Sequence, residues 1–213
     1  KRDTTMKRIL TITIASLVAA AGANAEMVYG ITDTQTLVRF NSSTPGTIDS
    51  GVAISGLQQN EQLLGIDFRP ANGQLYALGS FSNLYTVDIN TGAATAVGSS
   101  FGTPLNGSSF GFDFNPTIDR IRVVSDADQN LVLNPNDGGA TPVTSLFYAT
   151  GDVNEGQNPN VVGSAYTNSV AGAMTTQLYG IDTGLDILVT QANSAGTLET
   201  VGSLGEDLND VLG

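Results

Sequence analysis

The chain has 213 residues, with 8 Lys+Arg against 20 Asp+Glu for a formal net charge of −12, and no His, Cys or Trp. Those zeros exclude a Ser-His-Asp triad, a cysteine nucleophile, an ordinary zinc site and the usual haem ligation. Only 13% charged residues alongside 25 Gly describes a turn-rich β protein and not a helical one.

The chain opens on an address. Met6-Lys7-Arg8 is basic, Ile9 to Ala21 is an apolar run broken only by Thr and Ser, and Ala23-Asn24-Ala25 fits a small-x-small cleavage box. Together these predict a secretory signal peptide, so that residues 1–25 are upstream residues plus leader and the mature chain starts at Glu26. The apolar run rises about 20 Å as a helix, short of a ~30 Å hydrocarbon core, so no membrane span is expected after cleavage. The expected location is exported: periplasmic, cell-surface or extracellular. Removal of the leader leaves Arg39, Arg69, Arg120 and Arg122 against 19 acidic groups, a net charge of −15 and no lysine. Schiff-base and Ser-Lys mechanisms are thereby excluded. So strong an acidity repels nucleic acid and anionic lipid, leaving a protein or glycan ligand as the expected partner. A cysteine-free exported chain must hold together by burial, without disulfides.

Internal repetition is the main signal. Leu64-Gly65-Ile66-Asp67-Phe68-Arg69-Pro70 and Phe110-Gly111-Phe112-Asp113-Phe114-Asn115-Pro116 share Gly, hydrophobic, Asp, Phe, any, Pro in order, and Val162-Gly163-Ser164-Ala165-Tyr166 is a weaker third copy. Other columns keep the same phase. Val28-Tyr29-Gly30-Ile31 matches Leu75-Tyr76-Ala77-Leu78, Ile121-Arg122-Val123-Val124 and Leu178-Tyr179-Gly180-Ile181. Leu37–Phe40, Leu84–Val87, Leu131–Leu133 and Ile187–Val189 form a second column. A Gly turn and a last β-rich run, such as Ala94 to Val97 or Pro142 to Thr144, close each copy. Short β-branched and aromatic runs between Gly, Asn, Asp and Pro read as antiparallel strands.

The predicted fold is therefore all-β and β-propeller-like: about four repeats of four antiparallel strands, at roughly 26–60, 61–106, 107–158 and 159–209, in a single domain spanning 26–213. A two-sheet sandwich is the alternative, although it gives no reason for a four-strand repeat with Gly-hydrophobic-Asp-Phe at one fixed place. The first copy lacks an innermost run, and Gly213 falls where a further copy should open. The reading is an incomplete ring, truncated at the C-terminus, with about five blades before truncation.

Several phrases are distinctive: Asp119-Arg120-Ile121-Arg122-Val123-Val124-Ser125, Asn130-Leu131 to Asn134-Pro135, Val162 through Asn168, and Leu178-Tyr179-Gly180-Ile181-Asp182-Thr183-Gly184-Leu185-Asp186. With Leu84-Tyr85 to Thr91-Gly92, they resemble the bacterial family called domain of unknown function 4394, over nearly all of residues 28–213. The resemblance implies a secreted, propeller-like protein without an assigned activity, and it lends no catalytic residues.

Asp67 and Asp113 are the sharpest chemical candidates. Two carboxylates facing one channel could act as acid and nucleophile in glycoside hydrolysis. In-phase repetition favours a shared structural job instead, with each Asp accepting backbone N–H groups, because catalysis wants the two groups in different environments. Asp126, Asp128 and Asn130, with Asp137 at position twelve, have the alternate-oxygen spacing of a calcium loop, but position six is Leu131 where that loop needs Gly. No other cofactor is implied. Residues 152–160 form a long polar loop able to meet a cation or a sugar. Arg120 and Arg122 alternate on a strand and are expected to pair with an acidic neighbour. Tyr29, Tyr76, Tyr85 and Tyr179 recur in phase and are expected to pack between repeats. The leading expectation is an exported, non-catalytic binding or interaction scaffold; the alternative is a carboxylate-dependent glycoside hydrolase.

Overall fold

A computed structural model describes residues 25–208. Residues 1–24 of the predicted leader, and Gly213, lie outside the described residues. Sixteen strands follow one another: β1 (Met27–Ile31), β2 (Thr36–Asn41), β3 (Ile48–Ala53), β4 (Leu63–Phe68), β5 (Leu75–Gly79), β6 (Asn83–Val87), β7 (Ala94–Ala96), β8 (Phe110–Asn115), β9 (Arg120–Ser125), β10 (Asn130–Leu133), β11 (Ala140–Pro142), β12 (Phe147–Tyr148), β13 (Val161–Tyr166), β14 (Leu178–Asp182), β15 (Ile187–Gln191) and β16 (Thr197–Ser203). They form four sheets in chain order: β1-β2-β3, β4-β5-β6-β7, β8-β9-β10-β11, and β13-β14-β15-β16 with β12 added outside β16.

Every pairing but one is between antiparallel neighbours, joined by short turns. In the β6–β7 hairpin, Asp88 Oδ1 accepts from the amides of Asn90 and Thr91, and Gly92 takes φ +72°. That left-handed backbone is the one glycine adopts without strain. The exception is β12, whose Phe147 and Tyr148 run parallel to Thr197 and Leu198 of β16. Its two residues carry no alternation long enough to reveal a strand, and the sequence reading missed it. The last strand of the third sheet is also displaced from the expected run at Pro142 to Thr144. Ala140 and Pro142 pair with Leu133 and Leu131, so the strand begins two residues earlier.

Three cores lie between consecutive sheets. Leu37, Leu63, Leu75, Tyr85 and Val87 join the first to the second. Tyr76, Leu84, Phe112, Phe114, Ile121 and Leu131 join the second to the third. Val124, Leu146, Val161, Val189 and Leu198 join the third to the fourth. Each sheet is thus covered by its neighbour in sequence, which is not the arrangement of two sheets face to face. The packing also explains the hydrophobic runs. β8 is buried at five of six positions because it has a sheet on either side, whereas the outer strand β3 is exposed at five of six. Full burial of a side chain such as Phe114 contributes about 1.5–3 kcal/mol.

Candidate functional site

The repeated motif sits where one sheet's inner strand meets the next. A Cβ added to Gly65 of β4 would lie 2.8 Å from Cβ of Phe112 on β8; one added to Gly111 of β8 would lie 2.8 Å from the backbone nitrogen of Ser164 on β13. The in-phase glycines therefore let adjacent inner strands approach closely.

The in-phase aspartates bond across the same junctions. Asp67 Oδ2 accepts from the Phe114 amide at 2.8 Å, and Asp113 Oδ2 accepts from the Tyr166 amide at 2.7 Å. Asp67 Oδ1 accepts from the amide of its own neighbour Phe68 at 2.7 Å. The two carboxyls are neighbours and titrate together. Burial raises both pKa values well above the usual carboxylate range; for Asp113 the adjacent Asp67 charge adds to the effect, and the bonded amides pull partly back. The pair therefore holds on to a proton that two free carboxyls would release.

Aromatic contacts repeat at these junctions. Tyr29 meets Phe68, and Tyr76 meets Phe114, both edge-to-face with ring centroids 5.2 Å apart. At the third junction the pair is replaced by Arg122, whose Nε lies 3.5 Å from the Tyr166 hydroxyl. Arg122 is 3% exposed, and its bonded partners are neutral: Asn130 Oδ1 at 2.6 Å, the Tyr166 hydroxyl and Ser194 Oγ. The expected ion pair for Arg122 is therefore corrected; side-chain amides and hydroxyls surround the guanidinium instead. Among the described residues the one salt bridge joins Arg69 to Asp119 across the second and third sheets, through two parallel bonds.

A cleft of about 680 Å³ runs along the inner strands. Residues 29–33 line it on and after β1, 62–66 on and before β4, Phe112 on β8 and 162–164 on β13. Neither Asp67 nor Asp113 lines it.

The four spaced oxygens of the candidate calcium loop are not brought together. β10 runs through the middle of the stretch, leaving Asp126 and Asp128 before it and Asp137 beyond it. Asp126 accepts from the amide and hydroxyl of Ser108, Asn130 holds Arg122, and Asp137 accepts from the Gly139 amide and the Asn134 side chain. Asp128 sits at φ +58° with Oδ1 unpartnered, and burial followed by the nearby Asp182 charge raises its pKa. Among the described residues no group of three or more acidic side chains converges as a metal site. In the 152–160 loop, the Asp152 side chain accepts from the Asn154 amide and from the amide and hydroxyl of Thr200, which fastens the loop to β16.

Two carboxylates were not expected to be buried; the sequence placed Asp182 only beside a hairpin turn at Thr183-Gly184, where it does accept the turn amides. Glu61, 5% exposed, accepts from the Phe81 amide, Asn83 Nδ2 and the Tyr85 hydroxyl, the last at 2.6 Å. Burial, then this bond, pushes the Tyr85 hydroxyl up to about 12. Asp182, fully buried, accepts from the Tyr148 hydroxyl and the amides of Asn160, Gly184 and Leu185. Glu61 lies before β4 and Asp182 ends β14, so no shared column marked them; the in-phase Tyr85 was the only pointer to the first.

A family model described as "Domain of unknown function (DUF4394)" matches residues 36–213. No curated protein matches the chain. The matched stretch takes in β2 to β16, including both aspartate junctions, and the chain belongs to the family of domain of unknown function 4394.

Proposed function

We propose that the chain is an exported, non-catalytic, propeller-like module that serves as a binding or interaction scaffold. The observation that carries this reading is the bonding of Asp67 and Asp113, each of which accepts the backbone amide of the next inner strand. Both carboxyls are engaged by backbone amides of the inner strands, and neither lines the cleft. They act as staples that hold successive sheets in register, with the intersheet glycines setting the spacing. Four successive sheets with their inner strands gathered around one cleft suit an open wheel of blades. The acidity of the chain and its missing nucleophiles agree with a role in holding a protein or glycan ligand. The glycoside hydrolase reading asks the same two carboxyls to stand apart and to differ in role.

The test is to incubate the purified chain with a panel of nitrophenyl glycosides and polysaccharides, alongside Asp67→Asn and Asp113→Asn. The expected result is no turnover above buffer for any of the three, with altered melting temperatures in both variants. Turnover by the parent chain that disappears in both variants would overturn the scaffold reading.

A further inference from the structure

The third junction departs from the other two in chemistry. By ladder register Arg122, opposite Asp113, takes the place of Tyr76, opposite Asp67. Asn130, opposite Val124, takes the place of Leu84, opposite Leu78. Gln191, opposite Leu178, takes the place of Val87, opposite Leu75. Arg122, Asn130 and Gln191 are as buried as the residues they replace. Positions that are aromatic or aliphatic at the earlier junctions thus carry a guanidinium and two carboxamides here. Such a trade forfeits apolar packing, and a buried charge ordinarily has a counter-charge.

Among the described residues no acid bonds to Arg122. Asp113, across the ladder, is taken by the Tyr166 amide. Asn130 Oδ1 holds Nη1 at 2.6 Å. The Nε and Nη2 edge meets only two hydroxyls, Tyr166 at 3.5 Å and Ser194 at 3.4 Å, both beyond the usual ~2.7–3.2 Å. Arg69 shows what the same edge takes when it is satisfied: its Nε and Nη2 bind the two carboxylate oxygens of Asp119. The Arg122 edge is also reachable. Ser194 is exposed, on the short turn Asn193–Ala195 between β15 and β16. Beside it lies a pocket of about 250 Å³, lined by Gln191 and Asn193 of the cluster together with Thr176, Gln177, Thr190 and Thr197. Its one acid, Glu199, pairs with Thr190 and so lies on the sheet face away from Gln191.

We propose that the Nε and Nη2 edge of Arg122 is a receiving fork for a ligand carboxylate that enters at Ser194, and that the ligand is a uronic sugar whose ring sits in the adjoining pocket. The carboxylate supplies the missing counter-charge and two parallel charge-assisted bonds in place of two long neutral ones. The Tyr166 hydroxyl, which donates to Asn193 Oδ1 at 2.6 Å, stays beside the fork. The threonine hydroxyls and carboxamides of the pocket offer donors and acceptors to the ring hydroxyls, and the pocket has room for one ring. This inference rests on the scaffold reading and names the class of glycan that the scaffold holds.

The probes are glucuronate, acetate and glucose, titrated into the purified chain by calorimetry at fixed pH and ionic strength, with the Arg122 Nε–H signal followed by nuclear magnetic resonance. The expected result is saturable one-to-one binding of glucuronate that shifts this signal, about tenfold or more tighter than acetate, with no binding of glucose. Arg122→Gln should weaken glucuronate about tenfold or more, the equivalent of one charge-assisted bond. Ser194→Asp offers the fork a carboxylate from within the chain; it should raise the melting temperature and abolish glucuronate binding, and it keeps the test decisive if Arg122→Gln does not fold. Absent glucuronate binding, or binding left unchanged by either variant, would overturn the proposal. Glucuronate no tighter than acetate would overturn the sugar assignment. Failure here leaves the scaffold reading intact, since that reading is decided by turnover; turnover at Asp67 and Asp113 would sink the scaffold reading without touching the titration at Arg122.

Discussion

Replacement of Asp113 by Asn and by Ala should separate its charge from its hydrogen bond. Asn keeps a carbonyl to accept the Tyr166 amide and an N–H to donate to Asp67, as the protonated acid does, but it cannot ionise. The folded chain raises the Asp113 carboxyl from 3.8 to about 8, through burial first and the Asp67 charge second. The folded state therefore holds a proton that the unfolded state has released. Native stability falls as pH rises from about 4 towards 8, and the penalty is complete above the folded value. Two like charges about 4 Å apart in an effective dielectric near 20 repel by about 4 kcal/mol, and partial exposure of the pair to solvent brings this to roughly 1–2 kcal/mol. For a domain of this size that is about 2–8 °C in melting temperature. Asp113→Asn should thus melt higher than the parent at pH 8 and match it near pH 5. Asp113→Ala should melt below Asp113→Asn at every pH, and below the parent near pH 5, because the Tyr166 amide loses its acceptor at a cost of about 1–3 kcal/mol. Circular dichroism melts between pH 4.5 and 8.5 read both effects, above the range where Asp88, Asp119, Asp126 and Asp152, all with lowered pKa values, lose their own contribution. An Asn variant that melts below the parent at pH 8, or a gap that does not change with pH, would refute the shared-proton account.

Gly111→Ala should cost about 1–3 kcal/mol by wedging a methyl against Ser164, while Gly102→Ala, which meets nothing within 4 Å, should leave the melting temperature unchanged. Equal effects from the two would show that close approach is not the reason for the in-phase glycine. Glu61→Ala strips three buried donors of their acceptor and should lose about 2–4 kcal/mol in urea unfolding, with Glu61→Gln recovering part of it. A near-neutral Glu61→Ala would mean that Tyr85 and Asn83 find other partners. Arg69→Ala removes the paired bonds to Asp119 and should lower stability by about 1 kcal/mol, less at high salt; no loss at low salt would show that this bridge does not tie the two sheets. Calcium or chelator should leave the melting temperature unchanged, and a rise with calcium would return Asp126, Asp128 and Asp137 to consideration.

The repeat was legible because the inner strand's needs are local: glycine where the next strand presses in, an acid where that strand offers an amide, an aromatic beside it. The phase of Gly65 and Gly111, of Asp67 and Asp113, and of Tyr29 and Tyr76 carried over to three-dimensional junctions without adjustment. What stayed hidden depends on distant partners. β12 exists because β16 offers an outer edge, not because Phe147-Tyr148 has a strand's pattern. Arg122 faces Asn130 and Ser194 instead of an acid, and only the fold brings residue 194 beside residue 122. The candidate calcium spacing is broken up for the same reason: Asp126, Asn130 and Asp137 are held by Ser108, Arg122 and Asn134, on separate elements, and Asp128 is left apart from them.

Because the two junctions between complete sheets each take a glycine and an acid from one side and an amide from the other, the backbone part of the interface is the same at both places in the order. A copy gained or lost by gene duplication would meet neighbours already shaped for it, and stability would change by about one unit and one interface. Such a lineage can vary its copy number without inventing new contacts, while the outer loops, which the junctions do not use, diverge independently.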